Sequence, residues 1–279
     1  MLRHSVRRTA ITELKGGVGN QLFQLNAILH LMKKNYCGFL DTCLIAKDPN
    51  REFELSKLAS SMRIETGKFS FLCHTRFINR GFSFVHKFSP SIKNVQFLND
   101  ESNSANEIES ISQEKKMIFL QGYWQRLPIT ETLLEGLSDL SIKSNNQGHN
   151  SLLMHVRRGD FLDSKNIDFF GLLKVDYFLT ASQFLRSLLG DLEIEILTDD
   201  VSYVAEKILP IIPNSIIKES NESPLEMILS HTMYKGYIIS NSTFSWWMAR
   251  LSKNALVVAP KIWEAKSHTN LNLSNWYQL

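Results

Sequence analysis

The sequence is poor in cysteine: Cys37, Cys43 and Cys73 are the only three in 279 residues. This odd, scattered set contains no C-x-x-C pair, so it predicts neither a disulfide framework nor a zinc site and fits a reducing compartment. Long apolar runs are missing as well. No stretch of about 18 apolar residues is present to cross a bilayer, and the opening MLRHSVRRTAITELKGG has basic residues without an apolar core, so neither a membrane span nor a signal peptide is expected. An excess of one charge is also lacking. A net charge of +3 is too small for a nucleic-acid binder, whose basic residues mass along one element or tail, yet it leaves room for a local anion site.

What is present is ample material for a core, with 43% hydrophobic and 21% charged residues in a chain long enough for two compact lobes. Ala10–Leu14 reads as a short strand, followed by the glycine loop Lys15–Asn20 and a helix from Gln21 to Lys34 whose apolar residues cover much of its circumference. Tyr36–Leu40 reads as a second strand. The region from Asp48 to Lys116 has no clear period and includes an aromatic, basic stretch, Arg76–Phe88, and a polar run, Asn99–Lys116. Met117–Leu120 is a further strand leading into Gln121-Gly122-Tyr123-Trp124-Gln125. The polar, amide-rich SIKSNNQGHNS (141–151) is the best boundary, giving lobes of residues 1–145 and 146–279.

The second half repeats one theme, an apolar strand that ends in polar residues and is followed by a helix. Ser151–Val156, Glu193–Leu197, Gly236–Ile239 and Ala255–Ala259 are the strands; Tyr177–Leu189, Val201–Leu209, Pro224–His231 and Phe244–Leu251 are the helices. This alternation predicts a parallel α/β sheet, and ligands of open parallel sheets bind at the carboxyl ends of the strands. Three of those ends are polar here: His155–Asp160, Thr198–Asp200 and Ser240–Thr243.

Arg157 and Arg158 leave their strand in opposite directions, so one of them faces the crevice. A guanidinium there suits a phosphate or pyrophosphate, whereas the plainer alternative pairs both arginines with Asp160 and Asp163. His155 shares the face of Arg157 and is otherwise a hydrogen-bonded core histidine. Asp199 and Asp200 are adjacent and diverge, unlike a metal-binding carboxylate pair; one can accept from a guanine amino group or cap the helix near Val201. Ser242 or Thr243 is suited to N-cap the last helix and, with its open N–H groups, to cradle an anion. The glycine loop lacks the G-K-[ST] of a P-loop and has Leu22 where a dinucleotide fingerprint wants a small residue, leaving a close-approach loop with Asn20 available to a sugar.

Five segments in this order, Lys15-Gly-Gly-Val-Gly-Asn-Gln-Leu-Phe-Gln24, Gly122-Tyr-Trp-Gln125, His155-Val-Arg-Arg-Gly-Asp160, Leu197-Thr-Asp-Asp200 and Ser240-Asn-Ser-Thr-Phe-Ser-Trp-Trp247, resemble the galactoside α-1,2-fucosyltransferases, glycosyltransferase family 11. The resemblance implies an α/β fold of GT-B type, two Rossmann-like lobes facing across a cleft, with the acceptor on the amino-terminal lobe and GDP-fucose on the carboxyl-terminal one. It implies inverting transfer of L-fucose from GDP-fucose, the donor substrate, to the 2-hydroxyl of a terminal β-galactose, with no metal and no other cofactor. It places Arg157 on the pyrophosphate with His155 beside it, Asp199 on guanine, and Ser242, Thr243 and Ser245 on the phosphate side. The matched segments add Gly17, Asn20, Gln21, Tyr123, Trp124, Arg158, Asp160 and Asn241 to the candidate substrate contacts. For a general base the candidates are Asp163, Asp168 and His155, unless the leaving diphosphate takes the proton. Animal members carry an amino-terminal anchor; its absence points to a bacterial, cytoplasmic enzyme of surface-polysaccharide synthesis, acting on a galactose-containing or lipid-linked glycan, in peripheral contact with the inner membrane and with no nucleic-acid partner. The rivals are a fucosyltransferase of another linkage and a catalytically silent binder of glycans or nucleotide sugars.

Overall fold

The computed structural model describes residues 7–68, 94–100, 105–111, 114–141, 149–252, 254–265 and 270–279. The stretch Arg76–Phe88, parts of the polar run 99–116 and most of the segment 141–151 lie outside them. The chain divides into two units, Met1–Leu140 and Ser141–Leu279.

The first unit runs β1 (Thr9–Glu13), α1 (Val18–Met32), β2 (Cys37–Asp41), α2 (Ser56–Ser61), β3 (Glu65–Gly67), β4 (Val95–Asn99), α3 (Ala105–Ser110), β5 (Met117–Gln121) and α4 (Glu131–Ser141). Its strands form a parallel sheet in the order β3-β2-β1-β5-β4. Leu22, Phe23, Leu25, Ala27, Ile28 and Leu31 of α1 are fully buried, as a helix lying on a sheet requires. A buried polar residue of α1 acts as a brace. Gln24 donates from Nε2 to the carbonyls of Glu13 (3.1 Å) and Gly122 (3.0 Å) and accepts from the Lys15 N–H (3.2 Å), so one side chain ties together the loops that leave β1 and β5.

The second unit continues with β6 (Leu152–Val156), α5 (Ser164–Phe170), α6 (Val175–Leu189), β7 (Ile194–Thr198), α7 (Val201–Tyr203), β8 (Ser215–Ile217), α8 (Pro224–Ser230), β9 (Gly236–Ile238), α9 (Thr243–Leu251), β10 (Leu256–Ala259) and β11 (Tyr277–Gln278). All pairings are parallel, in the order β11-β10-β9-β6-β7-β8. The central strand β6 is buried on both faces, the mark of a covered parallel sheet. Leu152, Met154 and Val156 pack with Phe178, Ala181 and Leu185 of α6. His155 therefore lies on the opposite face, 5.2 Å from the Phe244 ring of α9.

Both units are thus α/β with parallel, Rossmann-like sheets, in keeping with the GT-B type. The helix expected over Val201–Leu209 is a short α-turn followed by a π-helical stretch, Val204–Ile208. The edge strands β3, β8 and β11, of three, three and two residues, are too short to show a period. One expectation is corrected outright: Cys43 is disulfide-bonded, because residues distant in sequence can be brought together by folding in a way spacing does not reveal. Cys37 is free. No helix among the described residues is long and apolar enough to cross a membrane.

Candidate functional site

In the second sheet the chain reverses its direction of winding once, and at such a point the loops leaving two neighbouring strands part and open a crevice. In the second unit this point falls between β6, which leads on to β7, and β9, which leads on to β10. The loops involved are His155–Asp160 and Ser240–Thr243. In the first unit β1 and β5 are neighbours, and the loops that leave them side by side are Lys15–Asn20 and Gly122–Gln125. Two of the five sequence motifs therefore meet at the switch point of the second sheet, and two more leave the neighbouring strands β1 and β5 of the first.

At the β6/β9 crevice, Ser240 stitches the strands together. Its hydroxyl donates to the His155 carbonyl (2.5 Å) and accepts from the Arg157 N–H (3.1 Å). The Arg157 guanidinium is held by two carboxylates, Asp160 Oδ1 at 2.5 Å and Asp199 Oδ2 at 2.6 Å. Asp199 reaches this position because residue 159 is glycine: a Cβ there would stand 2.4 Å from Asp199 Oδ2. The other oxygen of Asp199 accepts the Arg158 N–H at 2.8 Å.

Arg158 turns the other way, as neighbours leaving a strand must. Its Nε donates to Asp200 Oδ2 (3.0 Å), and its guanidinium carbon lies 3.6 Å from the centroid of the Tyr203 ring. Asp200 also accepts the Tyr203 N–H at 3.0 Å as the cap of α7. That bond is the main reason its carboxyl lies below the usual range, with Arg158 adding to the effect. The helix α9 starts at Ser242 without a side-chain cap. Among the described residues its first-turn N–H groups, which no helix satisfies internally, meet no capping side chain, and the positive end of its dipole lies at the same loop.

In the loops that leave β1 and β5, Gly16 has φ +77°, and a Cβ there would stand 2.8 Å from Asn20 Nδ2. Asn20 accepts from Gln125 Nε2 at 2.9 Å, and Lys15 Nζ lies 4.7 Å from the Tyr123 ring centroid. Burial raises the Tyr123 phenol above its ordinary range, with nearby Arg51 opposing.

Against known families, residues 109–279 match the model described as Glycosyl transferase family 11, more than half of the chain. The chain belongs to glycosyl transferase family 11. It is 28% identical over 302 residues to the O-antigen biosynthesis glycosyltransferase WbnK of Escherichia coli, covering 95% of this chain and 99% of that protein. It is 25% identical over 288 residues to an Escherichia coli alpha-1,2-colitosyltransferase, covering 93% and 94% of the two. Among solved structures, a mutant of Arabidopsis thaliana FUT1 in complex with GDP aligns with a TM-score of 0.50 at 10% identity, over 91% of this chain and 70% of that one; at that identity the likeness speaks to the fold.

Several candidate contacts of this family 11 glycosyltransferase are turned inward. Trp124 is 1% exposed and adopts φ +59°, an uncommon conformation for a bulky residue, fixed by its N–H donating to Asp100 Oδ2 at 2.8 Å. It is a core residue, not a surface for a sugar. Gln21 is buried and spends its amide on the carbonyls of Gly16 and Glu52 and the N–H of Glu54. Asn241 donates to the carbonyls of Phe170, Gly171 and Trp263. Ser245 is fully buried and donates to those of Ser240 and Ser242. In each case a short polar side chain satisfies loop backbone that would otherwise be unpaired.

His155 is 6% exposed. Burial, assisted by the Arg157 charge and opposed by Asp199, lowers its pKa to about 3. It is a neutral neighbour of Arg157 with too little basicity for a general base at neutral pH. Asp163 and Asp168 are exposed, Asp163 standing at the start of α5, and neither pairs with the arginines. The plainer alternative for the arginines is thus realised in altered form: Asp160, Asp199 and Asp200 hold them, and Asp163 does not. Gly17 sits at φ −70° with 3.6 Å of room to Arg51, so Gly16 is the constrained glycine of that loop. Gly159 and Ser240 lie outside the sequence-derived set, although each sits inside a recognised motif.

Proposed function

We propose that this family 11 glycosyltransferase moves L-fucose from GDP-β-L-fucose to the 2-hydroxyl of a terminal β-galactose, with inversion. The carboxyl-terminal lobe (146–279) binds the donor and the amino-terminal lobe (1–145) the acceptor. The observation that carries this reading is the β6/β9 switch point, where an oriented guanidinium and an uncapped helix start share one crevice. The acceptor oxygen attacks the anomeric carbon, and the bond from that carbon to the β-phosphate oxygen breaks. The hydroxyl proton passes to the departing diphosphate or to a carboxylate, for which Asp163 is the candidate.

Negative charge grows on the diphosphate as this proceeds. A guanidinium has five N–H donors; Asp160 and Asp199 occupy one each, leaving three of Arg157 to meet phosphate oxygens. Ser242, Thr243 and the first-turn N–H groups of α9 supply neutral donors beside it. Fixed donors aimed at developing charge supply large catalytic terms, so the proposal calls for no metal, and turnover should persist in EDTA. Removing one such donor costs about 10²- to 10³-fold in rate. Arg157→Ala should lose at least that much, and a variant retaining most of its turnover overturns the assignment.

The relative named for O-antigen biosynthesis supports a place in surface-polysaccharide assembly, with a lipid-linked glycan met at the cytoplasmic face of the membrane. The relative named as a colitosyltransferase favours a second reading, in which the donor sugar is colitose, fucose without its 3-hydroxyl. Transfer rates from the two GDP-sugars, measured side by side, separate them.

A further inference from the structure

Resting on the reading that gives the acceptor to the amino-terminal lobe, we infer that Lys15, Arg51 and Tyr123 form an oxyanion site in that lobe, which takes an anionic group carried by the acceptor. Three parallel strands supply it. β2, β1 and β5 are neighbours, and the chain leaving their carboxyl ends, where ligands of such sheets bind, brings residues 51, 15 and 123 together. Lys15 Nζ lies 4.7 Å from the centroid of the Tyr123 ring. Arg51 Nη1 stands 3.6 Å from where a Cβ on Gly17 would be, and its charge acts on the Tyr123 phenol. All three residues are half-buried, neither sealed in the core nor fully solvated.

Both cations are donors without an acceptor atom, the ammonium with three N–H and the guanidinium with five, so a guanidinium that serves a neighbour in its own lobe still has donors for an oxyanion. The carboxylates at the neighbouring strand ends are turned to backbone. Asp41, closing β2, accepts the Cys43 N–H at 3.0 Å, and Asp100, just after β4, accepts the Trp124 N–H at 2.8 Å. The helix α1 starts from Gly17 with no side-chain cap and no acidic residue in its first turn, so its dipole adds to the positive potential there. A sugar hydroxyl needs acceptors as well as donors, and amides of the same loops supply them. Gln125 Nε2 donates to Asn20 Oδ1 at 2.9 Å, and a Cβ on Gly16 would meet both Asn20 Nδ2 at 2.8 Å and the Tyr123 ring at 3.4 Å. A cationic side and a neutral amide side thus share one loop cluster, as an acceptor with a hydroxylated end and a charged end requires. Two sources can carry that oxyanion: a diphosphate at the end of the glycan that joins a lipid, and the carboxylate of an acidic sugar.

The test is calorimetric titration of the full chain, and of Lys15→Met and Arg51→Met, in saturating GDP so that phosphate sites of the donor crevice are filled. The probes are one β-galactosyl disaccharide in three forms: a neutral methyl glycoside, the same disaccharide on a methyl diphosphate, and an analogue with glucuronate as its second sugar. Charge-assisted hydrogen bonds at a half-buried, partly screened site should make a charged form bind about tenfold tighter than the neutral one, an advantage that shrinks as salt is raised. A gain for the diphosphate form alone makes the source a lipid-side diphosphate, and a gain for the glucuronate form alone makes it an acidic sugar. Each variant should bring the favoured charged form close to the neutral one. Equal binding of all three forms by the unaltered protein overturns the inference, and this comparison decides even where a variant does not fold. Retention of the preference in both variants also overturns it. So does a loss of affinity for GDP as large as that for the charged form, since the cluster would then serve the donor. If none of the three forms binds, the acceptor reading itself falls, and the inference with it.

Discussion

Gly159→Ala is the smallest change that should disable the site. The new methyl would stand 2.4 Å from Asp199 Oδ2, well inside contact distance, so the carboxylate must move. Asp199 holds the Arg157 guanidinium at 2.6 Å and the Arg158 N–H at 2.8 Å, and both bonds lengthen together. Charge-assisted hydrogen bonds contribute about 1.5–3 kcal/mol each when shielded. With the Asp199 side chain 26% exposed, solvent screening reduces the loss of fold stability to about 1–2 kcal/mol. The effect on rate should be larger, since misplacing a catalytic group by about 1 Å costs about 10²-fold. Steady-state kinetics with a GDP-sugar should thus show kcat/KM reduced by about that factor in a protein that still melts cooperatively. Combining Gly159→Ala with Asp199→Ala should cost little more than Asp199→Ala alone, because the clash then has no target. Wild-type kcat/KM in Gly159→Ala, or full additivity of the two changes, would refute the reasoning.

Two further outcomes concern the frame around the sites. Gly16→Ala forces a side chain into the left-handed region and onto Asn20, which should cost about 1–2 kcal/mol in denaturant titration, whereas Gly17→Ala at φ −70° should change stability by a few tenths of a kcal/mol at most. Burial pushes the Glu195 carboxyl upward, but hydrogen bonds from Lys218, Ser151 and Tyr234 outweigh it and lower its pKa to about 2. A depressed carboxyl stabilises the fold above its unfolded value near 4.5 and loses that contribution as pH falls toward 2. Glu195→Gln should therefore flatten the loss of stability across that window, read from thermal melts at successive pH values.

The alternation of apolar strands and helices was plain in the sequence, and so were the polar strand ends, because the period of two and the period of 3.6 are local properties. Strand order is not local. Nothing in the spacing of Gly236–Ile239 says that this strand lies beside β6, yet that neighbour relation makes Arg157 and Ser242 share a crevice. Side-chain direction after a strand was legible in part: the divergence of Arg157 from Arg158 follows from the pleat, but two of their three carboxylate partners, Asp199 and Asp200, come from the loop after the neighbouring strand β7. Trp124, Gln21, Asn241 and Ser245 carry the residue types of a binding site and serve instead as packing and loop braces. A buried loop carbonyl demands the same donors as a ligand does, so composition alone cannot separate the two uses.

The most direct test of the central claim is to incubate the protein with GDP-fucose and a panel of β-galactosides in excess EDTA and to determine the product linkage by NMR. The account predicts an α-1,2-linked fucosyl galactoside. Another linkage would contradict the acceptor assignment, and GDP binding with no transfer to any acceptor of the panel would contradict the enzymatic reading itself.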